Sequence, residues 1–502
     1  MKGIASATAL VALIGMPGAV RAQEPPAAAG ADTAVVRISL DEAIHHALEE
    51  SQEVKMARAS VEVAEAQVTA ARADALPQIN LSLGYTRTLA SQFDTGDGFT
   101  LPDSLRFDPD PSLPLEDRVT YLEEKVPNAA FGALGGLFSD LPFGQENAYN
   151  ASITASQLLY SGGRVGAALE AADHFTESAR LSLAEARAEV EQQVRTAYYQ
   201  ALLARETETI AEEALEQAER FLSQERLRLE AGRASELEVM RAEVSRDNLR
   251  PQLVEARNAA DLAMLNLKRL LDIPLTRTVE LTTPLEPPPA ATRTVSAPSA
   301  VEVVEERPAV EAAERQVAIR EQQVRIAKGA FLPSVSLSTA YGRQLYPAST
   351  FDFGGEWRTD WTVSIGVDIP LFQGFRRAAE VSRARAELDQ ARLQVEQLKE
   401  SVQLDYERAR AERERALSAI AARERTADVA ERVYDLTVLR YEQGVATQLE
   451  VSESRLALLQ ARTNLAQAIA DYYIADASVQ RARGGSAVAN RRVRSGQDSG
   501  EH

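Results

Sequence analysis

The 502-residue chain has no cysteine, which excludes disulfides, thiolate metal sites and an acylated N-terminal cysteine. Histidine is nearly absent: His45, His46, His174 and His502 are the full set. His45 and His46 are adjacent and point in different directions on a helix, and none of the four falls in a Ser/His/Asp or zinc pattern. No catalytic constellation, metal or cofactor is therefore expected, and the chain does not read as an enzyme. After the N-terminus, no stretch carries the roughly 20 consecutive apolar residues of a transmembrane helix. A membrane β-barrel escapes that scan because its strands alternate. Positive charge is short as well. Lys and Arg number 55 against 74 Asp and Glu, for a net charge of −19. No broad basic face is left for phosphates, which argues against a nucleic-acid partner.

What is present begins with a secretory signal. Lys2 supplies the charged start, Ile4 to Pro17 is mostly apolar and small, and Val20-Arg21-Ala22 places small residues for cleavage after Ala22. Residues 1–22 are read as this signal and 23–37 as a linker. The signal holds Lys2, Arg21 and no acid, so the mature chain sits near −21.

The rest says nearly the same thing twice. Arg228-Leu-Glu-Ala-Gly-Arg-Ala-Ser-Glu-Leu-Glu-Val239 recurs as Arg440-Tyr-Glu-Gln-Gly-Val-Ala-Thr-Gln-Leu-Glu-Val451, with seven of twelve positions identical at an offset of 212. The same offset maps Leu159, Gly162 and Arg164 onto Leu371, Gly374 and Arg376. Leu76-Pro77 recurs as Leu332-Pro333 at an offset of 256. The 44-residue difference is an insertion in the first copy, between Pro77 and Leu159. Two such long repeats are no solenoid; they predict a quasi-symmetric object. The first repeat spans 38–272, a Pro-rich linker 273–300, the second repeat 301–483, and a tail 484–502 reads as disordered.

Each repeat carries two alternating strand patterns, Gln78 to Thr88 and Asn150 to Tyr160, then Ser334 to Arg343 and Trp361 to Leu371. Each is about ten residues long, enough to cross a bilayer at a tilt. Two small soluble hairpins are the alternative, but isolated hairpins are marginal in water. Nearly everything else is helical. Ser39-x-x-Glu42 is a capping box opening a helix to about Ala75. A long helix runs from Arg164 to about Glu230, broken by Gly232, and a return helix from about Glu236 to Leu271 holds Pro251, which should kink it. The second copy matches with Arg376 to Glu442, a break at Gly444 and a return helix. The long helix, about 67 residues, spans roughly 100 Å, and the half-length helices should stack end to end beside it. Four strands close no barrel and four Ala-rich helical columns no tube, so symmetric association is favoured; its order is not fixed by these residues.

These features together resemble the TolC-like outer-membrane efflux proteins: the Leu76-Pro77 and Leu332-Pro333 strand starts, the Leu159-Tyr160-Ser161-Gly162-Gly163 and Leu371-Phe372-Gln373-Gly374 corners, and the Gly232 and Gly444 turns, in this order from about Ser39 to Arg483. The resemblance implies a mainly α fold with a membrane β-barrel section: a homotrimer with a 12-stranded outer-membrane barrel and an α-helical barrel in the periplasm. It implies a passive exit duct in the Gram-negative outer membrane, serving a periplasmic adaptor and an inner-membrane transporter. The hairpin tips, Leu229 to Leu237 and Tyr441 to Leu449, become adaptor-contact candidates, with Gly232, Arg233, Ala234, Tyr441, Gly444, Val445 and Ala446 at their centre. Pro77, Gly162, Gly163, Pro333 and Gly374 become the strand–helix corners.

Glu450 and Glu453 lie i, i+3 on one face of the return helix. In the family such acids face the lumen, and three copies would stack two carboxylate rings that favour cations, with crowding expected to raise some pKa values. The alternative is a solvated face or ion pairs with Arg440 or Arg455. In the first copy only Glu238 is equivalent; Arg241 replaces the second acid. A basic residue common in the family two positions after the second-copy glycine is Ala446 here, and Arg233 is the available substitute. The insertion from about Leu89 to Glu146 carries eleven acids and three bases and reads as a surface loop, with Trp357 and Trp361 at the same end suited to an interfacial girdle. Scarce methionine argues against a dedicated copper duct. The rival function class is a soluble periplasmic coiled-coil adaptor. Drug, protein and metal cargo are not separable, since the pump selects it.

Overall fold

The computed structural model describes residues 35–89, 109–126, 146–289, 299–347 and 349–485. The expected signal, most of the first linker, most of the acidic insertion, part of the Pro-rich linker and the tail after 485 lie outside these residues. The described chain is mainly helical. In order it forms β1 (Val36–Ile38), α1 (Leu40–Glu50), α2 (Gln52–Ala73), β2 (Gln78–Arg87), a short helix α3 over 115–126, β3 (Asn147–Tyr160), α4 (Arg164–Glu230), α5 (Glu236–Leu270), β4 (Val279–Leu281), α6 (Ala300–Glu306), α7 (Pro308–Gly329), β5 (Ser334–Leu345), β6 (Arg358–Asp368), α8 (Arg376–Glu442) and α9 (Gln448–Ala482). α4 and α8 are 67 residues each, α5 and α9 35 each. Among the described residues no helix is long and apolar enough to cross a membrane.

Three features depart from the sequence pattern. The helix expected from Ser39 to about Ala75 breaks at Ser51, whose buried side chain accepts from the Val54 amide and caps α2 anew. The insertion, read as loop, contains α3. The three-residue strands β1 and β4, too short for an alternation signal, pair in parallel across 243 residues, Val36 with Val279 and Ile38 with Leu281.

The chain divides into two compact units. One comprises residues 35–47, Ala197–Glu286 and Thr426–Ala470. Its helices are laced by ion pairs: Arg257 of α5 reaches Glu208 and Glu212 of α4, both at 3.1 Å, and Arg462 of α9 reaches Glu213 of α4 and Glu431 of α8, both at 2.8 Å. Ala211, Leu253 and Ala256 are buried where α4 meets α5; the small side chains permit close helix approach. Tyr198 is fully buried and ties the β1–β4 pair to α4. Its hydroxyl donates to the Ile38 carbonyl at 3.1 Å and accepts from the Thr283 amide at 3.3 Å.

The second unit comprises Leu48–Thr196, Pro287–Arg425 and 471–485. Its helices follow the order α2, α4, α7, α8 through the pairs Arg180–Glu65 (2.7 Å), Arg325–Glu170 (3.1 Å) and Arg392–Glu321 (2.9 Å). Arg307, 5% exposed, precedes α7 and is matched by Glu185 at 2.6 Å and the Ala482 carbonyl at 3.2 Å. Beyond the helices lies one antiparallel sheet of order β2-β3-β5-β6. Its register places Ile79, Leu81 and Leu83 beside Ala155, Ile153 and Ala151, these beside Thr339, Tyr341 and Arg343, and Leu337 and Thr339 beside Ile365 and Val363. One face is thus mostly apolar. The opposite face carries Asn80, Ser82, Asn150, Ser152, Thr154, Ser336, Ser338, Thr362 and Ser364. Gly84 serves that face: a Cβ there would sit 2.3 Å from Asn150 Oδ1. β2 and β6 are unpaired outer edges.

Tyr198→Phe keeps the buried ring and removes the hydroxyl that the Thr283 amide and Ile38 carbonyl use. A loss of about 1–2 kcal/mol in local stability is expected, measured as faster hydrogen exchange at the Thr283 and Val36 amides with α7 amides unchanged.

Candidate functional site: the helical hairpin tips

The two hairpins of the first unit end in the same structure. Gly232 adopts φ +70° and Gly444 φ +72°. The Arg233 amide returns to the Arg228 carbonyl at 2.7 Å and Gly232 to Leu229 at 2.9 Å; Val445 returns to Arg440 at 2.8 Å and Gly444 to Tyr441 at 3.0 Å. This paired bonding, with glycine in the left-handed region, stops a helix and satisfies its last carbonyls. A Cβ at either glycine would meet nothing within 4 Å. Within the chain, backbone conformation and not crowding therefore requires glycine here.

Each return helix opens with a capping box. Ser235 donates from its amide to Glu238 Oε2 at 2.6 Å, and its hydroxyl accepts from the Glu238 amide at 3.3 Å. Thr447 and Glu450 repeat this at 2.6 and 3.4 Å. The Thr447 backbone N–H, then its hydroxyl and Arg440, hold the Glu450 carboxyl below the usual carboxylate range. Ser235, backbone first, does the same for Glu238, helped by Arg228 and Arg241. In the chain these pKa values move opposite to the rise expected from crowding, because a bonded amide stabilises the anion. Neither Arg440 nor Arg455 forms an ion pair with Glu450 or Glu453 within the described residues. Glu450 and Glu453 are both exposed on α9.

Under the turns sits a small core drawn from all four helices: Phe221 and Leu222 of α4, Ala242 of α5, Tyr441 of α8 and Val451 of α9. Val239 and Ala446 pack against it. The Tyr441 and Phe221 ring centroids are 5.4 Å apart. The Arg228 guanidinium lies 4.7 Å over the Tyr441 ring and pairs with Glu225 at 3.3 Å. Glu225 is fully buried. Burial, then the hydrogen bond and charge of Glu225, push the Tyr441 hydroxyl well above its ordinary value. The cation beside Tyr441 is thus Arg228; Arg233 and Ala234 lie in the exposed turn and at its margin. The two hairpins are bridged where Gln448 donates to the Glu238 carbonyl at 2.7 Å and Arg455 to the Ser245 hydroxyl. Glu225 and Arg228 are not apparent as site residues in the sequence; Gln448 falls inside the Tyr441 to Leu449 tip, and Arg455 is an expected ion-pair partner of the acids, but neither bridging bond is apparent there. The capping boxes were readable there as Ser235-x-x-Glu238 and Thr447-x-x-Glu450.

In the second unit the corner candidates separate into two kinds. Gly162 (φ +64°) is crowded: a Cβ would lie 2.5 Å from the Gly329 carbonyl oxygen and 2.7 Å from Leu332 Cβ. Gly374 (φ +61°) and Gly163 (φ +80°) face open space. Pro77 and Pro333 stand immediately before β2 and β5. Among the described residues no group of three His, Asp or Glu is placed to hold a metal.

A model of the outer membrane efflux protein family matches residues 43–272 and 300–485. No curated protein matches the chain in sequence. Among solved structures the chain is similar to the outer membrane protein VceC of Vibrio cholerae, at 18% identity and TM-score 0.67, covering 89% of this chain and 96% of that one. It is similar to the CmeC outer membrane channel of Campylobacter jejuni, at 18% identity and TM-score 0.67, covering 89% and 85%. The open state of the MtrE outer membrane channel of Neisseria gonorrhoeae aligns at 20% identity and TM-score 0.68, covering 89% of each. At these identities the likeness is one of fold.

Two outcomes follow for the tips. Gly444→Ala places a Cβ in a left-handed residue at a cost of about 1–2 kcal/mol, whereas Gly444→Asn is milder; amide exchange across 440–450 reads both. The Glu450 cap contributes stability above the unfolded carboxyl pKa and loses it as pH falls through the lowered folded value. The Thr447 amide should therefore show protection, relative to its intrinsic exchange rate at each pH, that is full at neutral pH and falls in acid, and Glu450→Ala should remove that protection at every pH.

Proposed function

The chain belongs to the outer membrane efflux protein family, and from that premise we propose that it is the passive outer-membrane exit duct of a tripartite efflux or secretion system. In this reading its sheet joins those of two further copies in a 12-stranded barrel in a Gram-negative outer membrane. Its helices form the wall of a periplasmic tunnel, and its hairpin tips receive a periplasmic adaptor coupled to an inner-membrane transporter. The observation that carries the reading is the sheet. Ile79, Leu81, Leu83, Val363, Ile365 and Val367 are each 59–72% exposed on one face, an apolar patch that water does not favour, while the opposite face offers Ser, Thr and Asn to a lumen. A soluble adaptor would leave that patch in water.

The repeat suggests how closure occurs. Within the chain the β3–α4 corner at Gly162 packs on Gly329 and Leu332. The repeat equivalents are Gly374 for Gly162, and Ala73 and Leu76 for Gly329 and Leu332. Gly374 faces open space and Leu76 is 60% exposed. We place Gly374 of one copy against Leu76 of the next, with β6 of the first pairing with β2 of the second. Such a head-to-tail contact closes a ring and leaves no edge.

At the tips, exposed Leu229, Leu237, Val445 and Leu449 suit an apolar contact with an adaptor on either side of Gly232 and Gly444. Glu450, Glu453 and Glu238 are assigned to acidic rings at the entrance. The Thr447 bonds keep Glu450 ionised, so this ring retains charge at neutral pH and favours cations. Bonding by one oxygen fixes where that charge sits.

In planar bilayers the reconstituted protein should prefer cations, and Glu450→Gln with Glu453→Gln should weaken that preference; unchanged selectivity removes both residues from the filter. Ile365→Arg, on the apolar face, should cost about 2–4 kcal/mol in membrane-inserted stability, whereas Ser364→Arg, one residue away on the polar face, should insert normally. Equal behaviour of the two would contradict the assignment of faces.

A further inference from the structure

The apolar face of the sheet is not evenly filled. Ile153, Ala155, Thr339, Tyr341 and Trp361 line a hollow of about 370 Å³ on it. The Trp361 indole N–H donates to the Thr339 hydroxyl at 3.1 Å, and that hydroxyl donates to the Thr362 carbonyl at 2.9 Å. Tyr341 packs edge-on against Trp361, with ring centroids 6.5 Å apart. With those polar groups bonded inside the chain, the hollow offers mainly hydrocarbon and ring surface.

Arg343 stands one rung further from the helices. The register places it beside Ala151 and Thr359, on the same face as Tyr341 and about 7 Å along the strand. It is exposed, and its guanidinium lies 5.9 Å over the Trp357 ring. Among the described residues no carboxylate is within ion-pair reach of it, Asp352 and Glu356 of the following loop included. The first repeat provides a contrast. At the offset of 256, Tyr85 and Arg87 are the equivalents of Tyr341 and Arg343. There the Tyr85 hydroxyl donates to Asn147 at 2.9 Å, and Arg87 meets Glu146 at 3.8 Å. In the second repeat aromatic rings replace both partners, and the cation keeps no counter-charge. An arginine on a lipid-facing surface is costly unless something anionic meets it.

We propose that the hollow seats one acyl chain of a lipopolysaccharide, with a phosphate of its headgroup held by Arg343. The site rests on the duct reading, in which this end of the sheet lies in the outer leaflet. The lipid of that leaflet joins acyl chains to a phosphorylated sugar head. The sheet presents an apolar hollow and then a guanidinium, in the same order from the membrane interior outward. A free phosphate would leave the hollow empty, and an uncharged lipid would leave Arg343 unmatched.

Trp357 and Trp361 are the two tryptophans of the chain, so intrinsic fluorescence reports this site. The full-length protein, delipidated in detergent, should show a saturable fluorescence change when titrated with bisphosphorylated lipopolysaccharide. Affinity should fall about tenfold or more with dephosphorylated lipopolysaccharide, and equally in Arg343→Gln, through loss of a charged hydrogen bond. Arg343→Lys should recover most of it. Ala155→Phe, which fills the hollow and leaves Arg343 in place, should weaken binding as well. Equal affinity of the unmodified chain for the two lipopolysaccharides overturns the site, and that comparison needs no variant to fold. Undiminished binding in Arg343→Gln or Ala155→Phe also overturns it, as does phosphatidylglycerol binding as tightly as lipopolysaccharide. Fractionation separates the failures: protein in the outer membrane without the phosphate-dependent signal removes this site alone, whereas protein outside that membrane removes the duct reading too.

Discussion

A four-stranded sheet with one apolar face and two open edges cannot rest in water alone. β6 is exposed along its whole length, and β2 nearly so, so the sheet exposes backbone donors and acceptors at both sides as well as large apolar side chains on one face. Lipid can cover the face, but in lipid an unpaired strand edge is costlier still. Under the proposed function the edges meet edges of other copies, which answers both problems together. The crowded corner at Gly162 and its open counterpart at Gly374 fit that reading.

The hairpin tips answer a different requirement, the reversal of two long helices with no unsatisfied ends. Each does it with a left-handed glycine followed by a capping box. The same local chemistry fixes Glu238 and Glu450 in orientation and keeps them ionised. A structural cap and the proposed charged entrance are thus compatible in one side chain, because capping engages the carboxylate as an acceptor and favours its anionic form. The copies differ in what surrounds the caps. Glu453 and Arg455 of the second copy stand where Arg241 and Glu243 stand in the first, and the inverted charges end in different surroundings: Glu243 in a surface ion-pair cluster and Arg455 in the interior.

Much of this could be read from residue patterns because it rests on local rules. Glycine after a long amphipathic run marks a turn, and alternation in Trp361, Val363, Ile365 and Val367 marks a strand with one apolar face. The capping boxes Ser235-x-x-Glu238 and Thr447-x-x-Glu450 are equally local. What escaped depends on distant partners or on length. The break at Ser51 interrupts a pattern whose apolar spacing barely changes. β1 and β4 find each other across the whole first repeat and are anchored by Tyr198. The burial of Glu225 and Arg455 is invisible in sequence, because it depends on the neighbouring helices that meet around Tyr441 and on the α5 residue Ser245.

The absence of cysteine makes the central claim directly measurable. With one cysteine introduced in β2 and one in β6, every crosslink formed in membranes reports those two edges. Pairing between neighbouring copies predicts a ladder of dimer and trimer that ends at three and is absent when either cysteine is omitted. Crosslinks confined within single chains, or a protein that fractionates as a monomer soluble without detergent, would contradict it.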